Sequence, residues 1–240
     1  MIGGPEELRK LEADGLPPDA RIWTMHFFSH FGASREELRR EGRPVDYTGH
    51  WQPPVLVAAE AAQILDRLDA AGIWYCVEGG WGVDALLGEQ TRPHEDIDLA
   101  VRMEDVDRIC STLWEYVRHD VEWPSSFVLR DSRGRKVDAH PLRFDANGDG
   151  WQANATGGEP YRWPREHLGA RGRIARTKVE APRDVRCITP ELQLRWHEYD
   201  GFDDVDWQDM RALCDRFGLT PPERLATRPG FVHKKRRAFT

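Results

Sequence analysis

The chain has 240 residues, 31% of them Asp, Glu, Lys or Arg, and a formal net charge of −7. That length suits one sizeable core, or a catalytic domain with a smaller helical appendage, and excludes several domains. The acidic balance disfavours a dedicated nucleic-acid binder, whose footprint is normally basic, and fits a small, charged, soluble ligand better.

The first twenty residues mix acids, bases and prolines around no apolar run of signal-peptide type, and no later run reaches membrane-spanning length, so a cytoplasmic protein is expected. Residues 1–54 read as an accessory region, with a short helix from Glu6 to Asp14, a break at Pro17-Pro18 and a capped helix start at Ser34 ahead of Glu36-Glu37. Val55, Ala58, Ala59, Ala62, Leu65 and Leu68 recur at helical spacing up to a stop at Gly72. A strand from Ile73 to Val77 follows, then the pair Gly79-Gly80, a helix to Leu87 and a loop through Pro93. A second strand runs from Ile97 to Val101, and apolar spacing predicts a helix from Glu104 to Arg118. Phe127 to Arg130 and Lys136 to Leu142 flank a turn and read as a hairpin. Short strands continue to about residue 188, and two helices, Pro190 to Tyr199 and Trp207 to Phe217, close the fold. The organisation expected is therefore residues 55–189 as the main domain, 190–218 as helices packed on it, and 219–240 as a tail. Cys76, Cys110, Cys187 and Cys214 lack metal-binding spacing and read as reduced thiols.

The chemistry concentrates between Val77 and Leu99. Successive side chains of a strand point to opposite faces, so Asp96 and Asp98 share one face while Ile97 and Leu99 point into the core. Two carboxylates so close repel unless a cation lies between them, and a hard divalent ion such as Mg²⁺, arriving with nucleotide phosphates, suits all-oxygen ligands. Gly79 and Gly80 let backbone approach a ligand, and the free amides of a helix N-terminus attract anions. Asp138, flanked by Val137 and Ala139, is the candidate third carboxylate, and Arg92 and His94 are candidate phosphate contacts. Alternation turns Glu95 away from the two aspartates, and Asp84 reads as a structural acid in the first turn of the helix. Asp145 to Gly150 opens like a calcium loop but has Thr156 where the bidentate Glu should stand, so it reads as a turn. Between Arg162 and Arg186, eight Lys or Arg face three acids, either a solvated basic face or a surface for triphosphate or nucleic acid.

The run Gly79-Gly80-Trp81-Gly82-Val83-Asp84-Ala85-Leu86-Leu87-Gly88, continued by Thr91-Arg92-Pro93-His94 and Asp96-Ile97-Asp98, resembles the antibiotic nucleotidyltransferases of the polymerase-β superfamily. The likeness is greatest to the small lincosamide enzymes, then to the aminoglycoside enzymes. Val137 to Pro141 is similar to their third-carboxylate strand, and Gln152-Ala153-Asn154 and His197 with Tyr199-Asp200 are similar to the lincosamide branch. Trp81 stands where the wider superfamily often has a serine, in agreement with the antibiotic-modifying branch. The resemblance implies an α+β fold of polymerase-β-like nucleotidyltransferase type, a mixed sheet flanked by helices with a C-terminal helical part. It implies ATP or another NTP, Mg²⁺ on Asp96, Asp98 and Asp138, and transfer of a nucleoside monophosphate to a hydroxyl of a small-molecule acceptor. Asp138 is base, metal ligand or both in that scheme, and His140, Asn154 and His197 are the candidate acceptor contacts. Residues 1–54 have no counterpart in the resemblance and are open to covering the acceptor, extending the core or forming a homodimer contact. Two other readings stand beside this one, a nucleotidyltransferase toxin acting on tRNA and a non-catalytic nucleotide-binding module.

Overall fold

The computed structural model describes residues 55–175, 181–197 and 204–223. The expectations for residues 1–54, for Tyr199 and Asp200, and for the tail beyond 223 lie outside them. The described elements belong to the unit formed by Gln52–Glu198 and Val205–Thr240, Asp204 excepted.

Helix α1 (Ala58–Ala70) buries Ala61, Ala62, Ile64, Leu65 and Leu68, the stripe that the sequence spacing demands. Its start is fixed by Glu60, whose carboxylate accepts the Val57 amide proton. Strand β1 (Tyr75–Glu78) leads straight into α2 (Gly79–Leu87), so both glycines lie inside the helix rather than before it. Strand β2 (Asp96–Arg102) is followed by a single 3-10 turn and by α3 (Val106–Thr112). Then come β3 (Val117–Glu122), β4 (Ser126–Arg130), β5 (Lys136–Phe144), β6 (Gly150–Gln152) and β7 (Tyr161–Trp163). Strands β8 (Leu168–Ile174) and β9 (Arg183–Ile188) precede α4 (Pro190–Trp196) and α5 (Asp204–Phe217).

Among the described residues the strands form one sheet in the order β3-β4-β5-β2-β1-β9-β8, with β6 and β7 continuing from β5. It is mixed: β2 runs parallel to β5 and β1 to β9, while β1–β2, β4–β5 and β8–β9 are antiparallel. With helices packed against this mixed sheet, the fold is α+β, as expected.

The helix predicted from Glu104 to Arg118 is shorter than its apolar spacing suggests. It ends at Thr112, Tyr116 donates its amide to the Leu113 carbonyl in a turn, and Val117 pairs with Arg130 as the start of edge strand β3. Val117 is 63% exposed, so its place in the helical apolar pattern was coincidental, and sheet pairing overrode it. The hairpin between β4 and β5 forms as expected, its turn closed by Asp131, which accepts the backbone amides of Arg133 and Arg135. Asp145 likewise accepts the amides of Asn147 and Asp149, making the turn expected in place of a calcium loop. All four cysteines are free, three of them buried. No helix among the described residues is long and apolar enough to cross a membrane.

Among the described residues, three of the eight basic residues of this stretch pair with acids within the fold. Arg162 pairs with Asp149, Arg173 with Asp184, and Arg183 with Asp66 and Asp69. Arg183 is the structurally weightiest: buried on β9, it reaches both aspartates of α1 and the Tyr75 hydroxyl of β1 at 2.8 Å. Burial, only partly opposed by Arg183, pushes the Tyr75 hydroxyl up to about 12. Arg183→Met should cost about 1.5–3 kcal/mol in urea unfolding, the range for one charged hydrogen bond, and no more because the two half-exposed aspartates can rehydrate. An unchanged denaturation midpoint would mean that the cluster adds nothing.

Candidate active site

Strand alternation carries two different surfaces on the same face of the sheet. Toward one end, Cys76, Ala100, Leu142, Trp163, Ile188 and Leu192 form a buried apolar cluster, with Trp74, Phe144, Leu168 and Trp196 packed on it. Two residues along β1, β2 and β5 from Cys76, Ala100 and Leu142, the same face turns polar, with Glu78, Asp98 and His140. The register aligns Glu78 with Asp98 across β1 and β2, and Asp98 with Asp138 across β2 and β5. Glu78, Asp98 and Asp138 therefore make one row of carboxylates across three strands, and Asp96 lies beside it on the same face.

The charge crowded into that row shifts the proton affinities of its members. Burial first, then repulsion from Asp96, Asp138 and Glu78, raises the Asp98 carboxyl well above the usual range. His140 supplies an opposing charge: its Nδ1 donates to Glu78 Oε1 at 2.9 Å, and its Nε2 lies 3.9 Å from Asp138 Oδ1. Burial lowers the His140 value, but Glu78, Asp138 and Asp98 outweigh it and raise the imidazole from 6.5 to about 10. The sign follows from linkage: the folded state gains from protonated His140 fully below the unfolded value, and loses the gain as pH climbs toward the folded one. The stability advantage of the metal-free wild type over His140→Gln should therefore shrink steadily between pH 6.5 and about 10, read by chemical denaturation. A difference independent of pH would contradict the ion pairing.

The glycine turn touches this row. Gly79 has φ +57°, and a methyl there would stand 2.0 Å from Asp98 Oδ2. At Gly80 a methyl would meet Arg92 Nη2 and His94 Nδ1, each at 2.5 Å. The fold thus gathers Gly79, Gly80, Asp98, Arg92 and His94 at the start of α2. Arg92 is held from the far side by Asp209 of α5, with Nη2 to Oδ2 at 2.9 Å, and α4 reaches in through Gln193 Nε2, which donates to the Gly79 carbonyl at 3.3 Å.

Two expectations here need correction in their reasons. Asp84 is not in the first turn, because α2 already includes both glycines; it works from mid-helix, accepting the Thr91 amide and hydroxyl and binding the His94 ring. His94 is itself buried, between Asp84 and the Trp81 ring 4.7 Å away, so it braces the loop that presents Arg92. The basic residues just before Asp138 in the chain pair elsewhere: Arg135 with Glu60 and Asp131, and Lys136 with Asp96.

Of the acceptor candidates, only His140 stands on the carboxylate strands. Asn154 uses its amide inside its own turn, accepting from Thr156 and donating to the Glu159 carbonyl. His197 caps α4, donating from Nδ1 to the Gln193 carbonyl at 2.8 Å. Sequence reading missed Glu78, Lys136 and Asp209. The signal for the first two was present, since each sits two residues along a strand from an apolar or carboxylate position already placed, Glu78 from Cys76 and Lys136 from Asp138. Asp209 stood out as an acid on the apolar side of α5 beside Met210, Leu213 and Cys214.

The donor chemistry suits a hard divalent ion, since Asp96, Asp98 and Asp138 offer only carboxylate oxygens on adjacent strands. Among the described residues no three His, Cys, Asp or Glu side chains already converge to hold one, and Asp96 is engaged by Lys136 at 2.7 Å.

The model of the aminoglycoside-2''-adenylyltransferase family matches residues 60–213. The chain belongs to that family. Its relatives within the antibiotic nucleotidyltransferases include a lincosamide resistance protein of Staphylococcus haemolyticus, 30% identical over 156 residues, which span 64% of this chain and 92% of the relative. A 2''-aminoglycoside nucleotidyltransferase of Klebsiella pneumoniae is 27% identical over 173 residues, 68% of this chain and 89% of that one. Among solved structures, a lincosamide antibiotic adenylyltransferase with lincomycin bound superposes with a TM-score of 0.57 at 28% identity, covering 67% of this chain and 98% of its own. ANT(2'')-Ia in complex with adenylyl-2''-tobramycin gives 0.51 at 22% identity over 67% and 89%, a likeness of fold. The family match begins two residues into α1 and ends within α5, so it takes in every residue of the carboxylate row and the glycine turn.

Proposed function

We propose that this chain transfers AMP from ATP to a hydroxyl of a small-molecule antibiotic, a lincosamide or an aminoglycoside, with Mg²⁺. The observation that supports it most is the alignment of Glu78, Asp98 and Asp138 in one register row at the Gly79-Gly80 turn. Asp96, Asp98 and Asp138 are the residues that would hold Mg²⁺. Bound there, the ion supplies charge neutralisation for the phosphates and lowers the barrier to deprotonating the acceptor.

The chain's own groups do the rest. The amides at the start of α2 meet the phosphates, with Arg92 beside Gly80 as a guanidinium partner steadied by Asp209 and by the His94 brace. The acceptor oxygen attacks the α-phosphorus, pyrophosphate leaves, and the hydroxyl proton passes to Asp138, whose neighbour His140 is held by Glu78. His140 is the acceptor contact that we favour, because the polar atoms of Asn154 and His197 serve their own turns. At the margin of the buried apolar cluster the partly buried Trp196, backed by Trp163 at 5.0 Å, would offer the acceptor a wall for its less polar side. Free cysteines and a nucleotide donor fit work in the cytoplasm. The arginines committed to Asp149, Asp184, Asp66 and Asp69 leave less basic surface for tRNA than the sequence count suggested.

Incubation with ATP and Mg²⁺ across lincosamides, aminoglycosides and tRNA, followed by mass spectrometry, tests this. Adenylylation of a lincosamide or an aminoglycoside is expected; a gain on tRNA alone would overturn the reading.

A further inference from the structure

Next to the carboxylate row lies a row of two cations and one acid. The register sets Arg130 of β4 opposite Lys136 of β5, and Lys136 opposite Asp96 of β2. Lys136 is two residues before Asp138, hence on the same face, and its Nζ binds Asp96 Oδ2 at 2.7 Å with only 11% of the side chain exposed. The cation now on Asp96 is thus an ammonium delivered by the very strand that carries Asp138.

A divalent ion held by Asp96, Asp98 and Asp138 would compete with Lys136 for the Asp96 carboxylate, and the two positive charges would repel. Lys136 would then give up its ion pair with Asp96, and a largely covered ammonium left with only the surrounding charges of Glu95 and Asp138 is costly. The phosphates of a nucleotide at the adjacent glycine turn are the anion within the proposed reaction that can take it. We infer that Lys136 is a placeholder cation, which holds Asp96 while the carboxylate site is empty and exchanges onto nucleotide phosphate when a divalent ion takes Asp96. This rests on the proposed activity for the identity of the anion. Its consequence is coupling: metal alone displaces Lys136 with no new hydrogen-bonded anion to take it, whereas metal with nucleotide gives Lys136 a new partner, so the two bind better together than apart.

Mn²⁺ titration of the nucleotide-free protein, read by paramagnetic resonance, tests the exchange. Lys136→Met keeps the apolar stem and should bind Mn²⁺ alone roughly tenfold more tightly than wild type, by removal of one charged hydrogen bond. The same variant should bind Mg²⁺ with α,β-methylene-ATP several-fold more weakly. Equal or weaker Mn²⁺ affinity, or unchanged nucleotide affinity, would overturn the inference. Acetic anhydride labelling of unaltered protein provides a second readout that does not depend on the variant folding. Labelling of Lys136 should rise with Mg²⁺ alone and fall when the nucleotide analogue is added; labelling indifferent to Mg²⁺ would equally overturn it. Neither measurement requires an acceptor or turnover. Failure of transfer in the acceptor panel therefore counts against the proposed activity, and failure of the Mn²⁺ and labelling differences against the exchange.

Discussion

Asp98→Asn is expected to lower nucleotidyl transfer by about 10³-fold or more, the scale of removing one charged group that acts at the reacting phosphate. Asp98 is the centre of the row: Glu78 stands opposite it on one side and Asp138 on the other, and Asp96 shares its strand face. The amide preserves size and loses the charge, so the defect belongs to the chemistry and not to packing. The same variant should be more resistant to urea than metal-free wild type near neutral pH. Burial and three neighbouring carboxylates hold the Asp98 carboxyl well above its unfolded value, so the ionised form is disfavoured by folding and its stability contribution declines as pH rises through the folded value. Activity and stability thus move in opposite directions, a pattern typical of a charge kept for function. Steady-state kinetics and urea melts on one preparation check both, and wild-type turnover in the variant would refute the role given to Asp98.

Gly79→Ala should damage the same centre from the other side. At φ +57° any side chain is strained by about 1–2 kcal/mol, and the added methyl would lie 2.0 Å from Asp98 Oδ2 and 3.1 Å from Asp98 Cβ. Asp98 must move or the turn must open, and either displaces the carboxylate from its row. A loss of 1–3 kcal/mol in stability and about 10²-fold in kcat is expected, since small misplacements at a reacting centre are amplified. Gly88→Ala is the matched control. Its φ is +83°, yet a methyl there has nothing within 4 Å, so it should show the strain in stability and leave kcat intact. Equal activity losses in the two variants would mean that backbone strain, not the approach to Asp98, explains the glycine.

The carboxylate pattern was legible because strand alternation is a local rule. Asp96, Ile97, Asp98 and Leu99 alternate between the functional face and the core, with Ile97 and Leu99 fully buried. The hairpin carrying Asp138 was legible for the same reason, its turn marked by Asp131 and Gly134. What the sequence hid depends on partners far along the chain. Val117 fits a helical stripe locally, and only its pairing with Arg130 makes it a strand. Glu78 lies 20 residues from Asp98 and 62 from His140, and its meaning appears only when β1, β2 and β5 are laid side by side. Asp209 is 117 residues from Arg92, which it holds beside the glycine turn. Lys136 stands two residues from Asp138 in sequence, yet the parallel register gives it to Asp96.

The central claim is that these residues move a nucleotide rather than a phosphoryl group, and isotopic labelling of ATP tests it most directly. Two parallel reactions with an accepting antibiotic would use ATP labelled with radioactive phosphorus at either the α or the γ position. The account requires the α label on the antibiotic and the γ label in pyrophosphate, with both signals lost in Asp98→Asn. Appearance of the γ label on the antibiotic would contradict it.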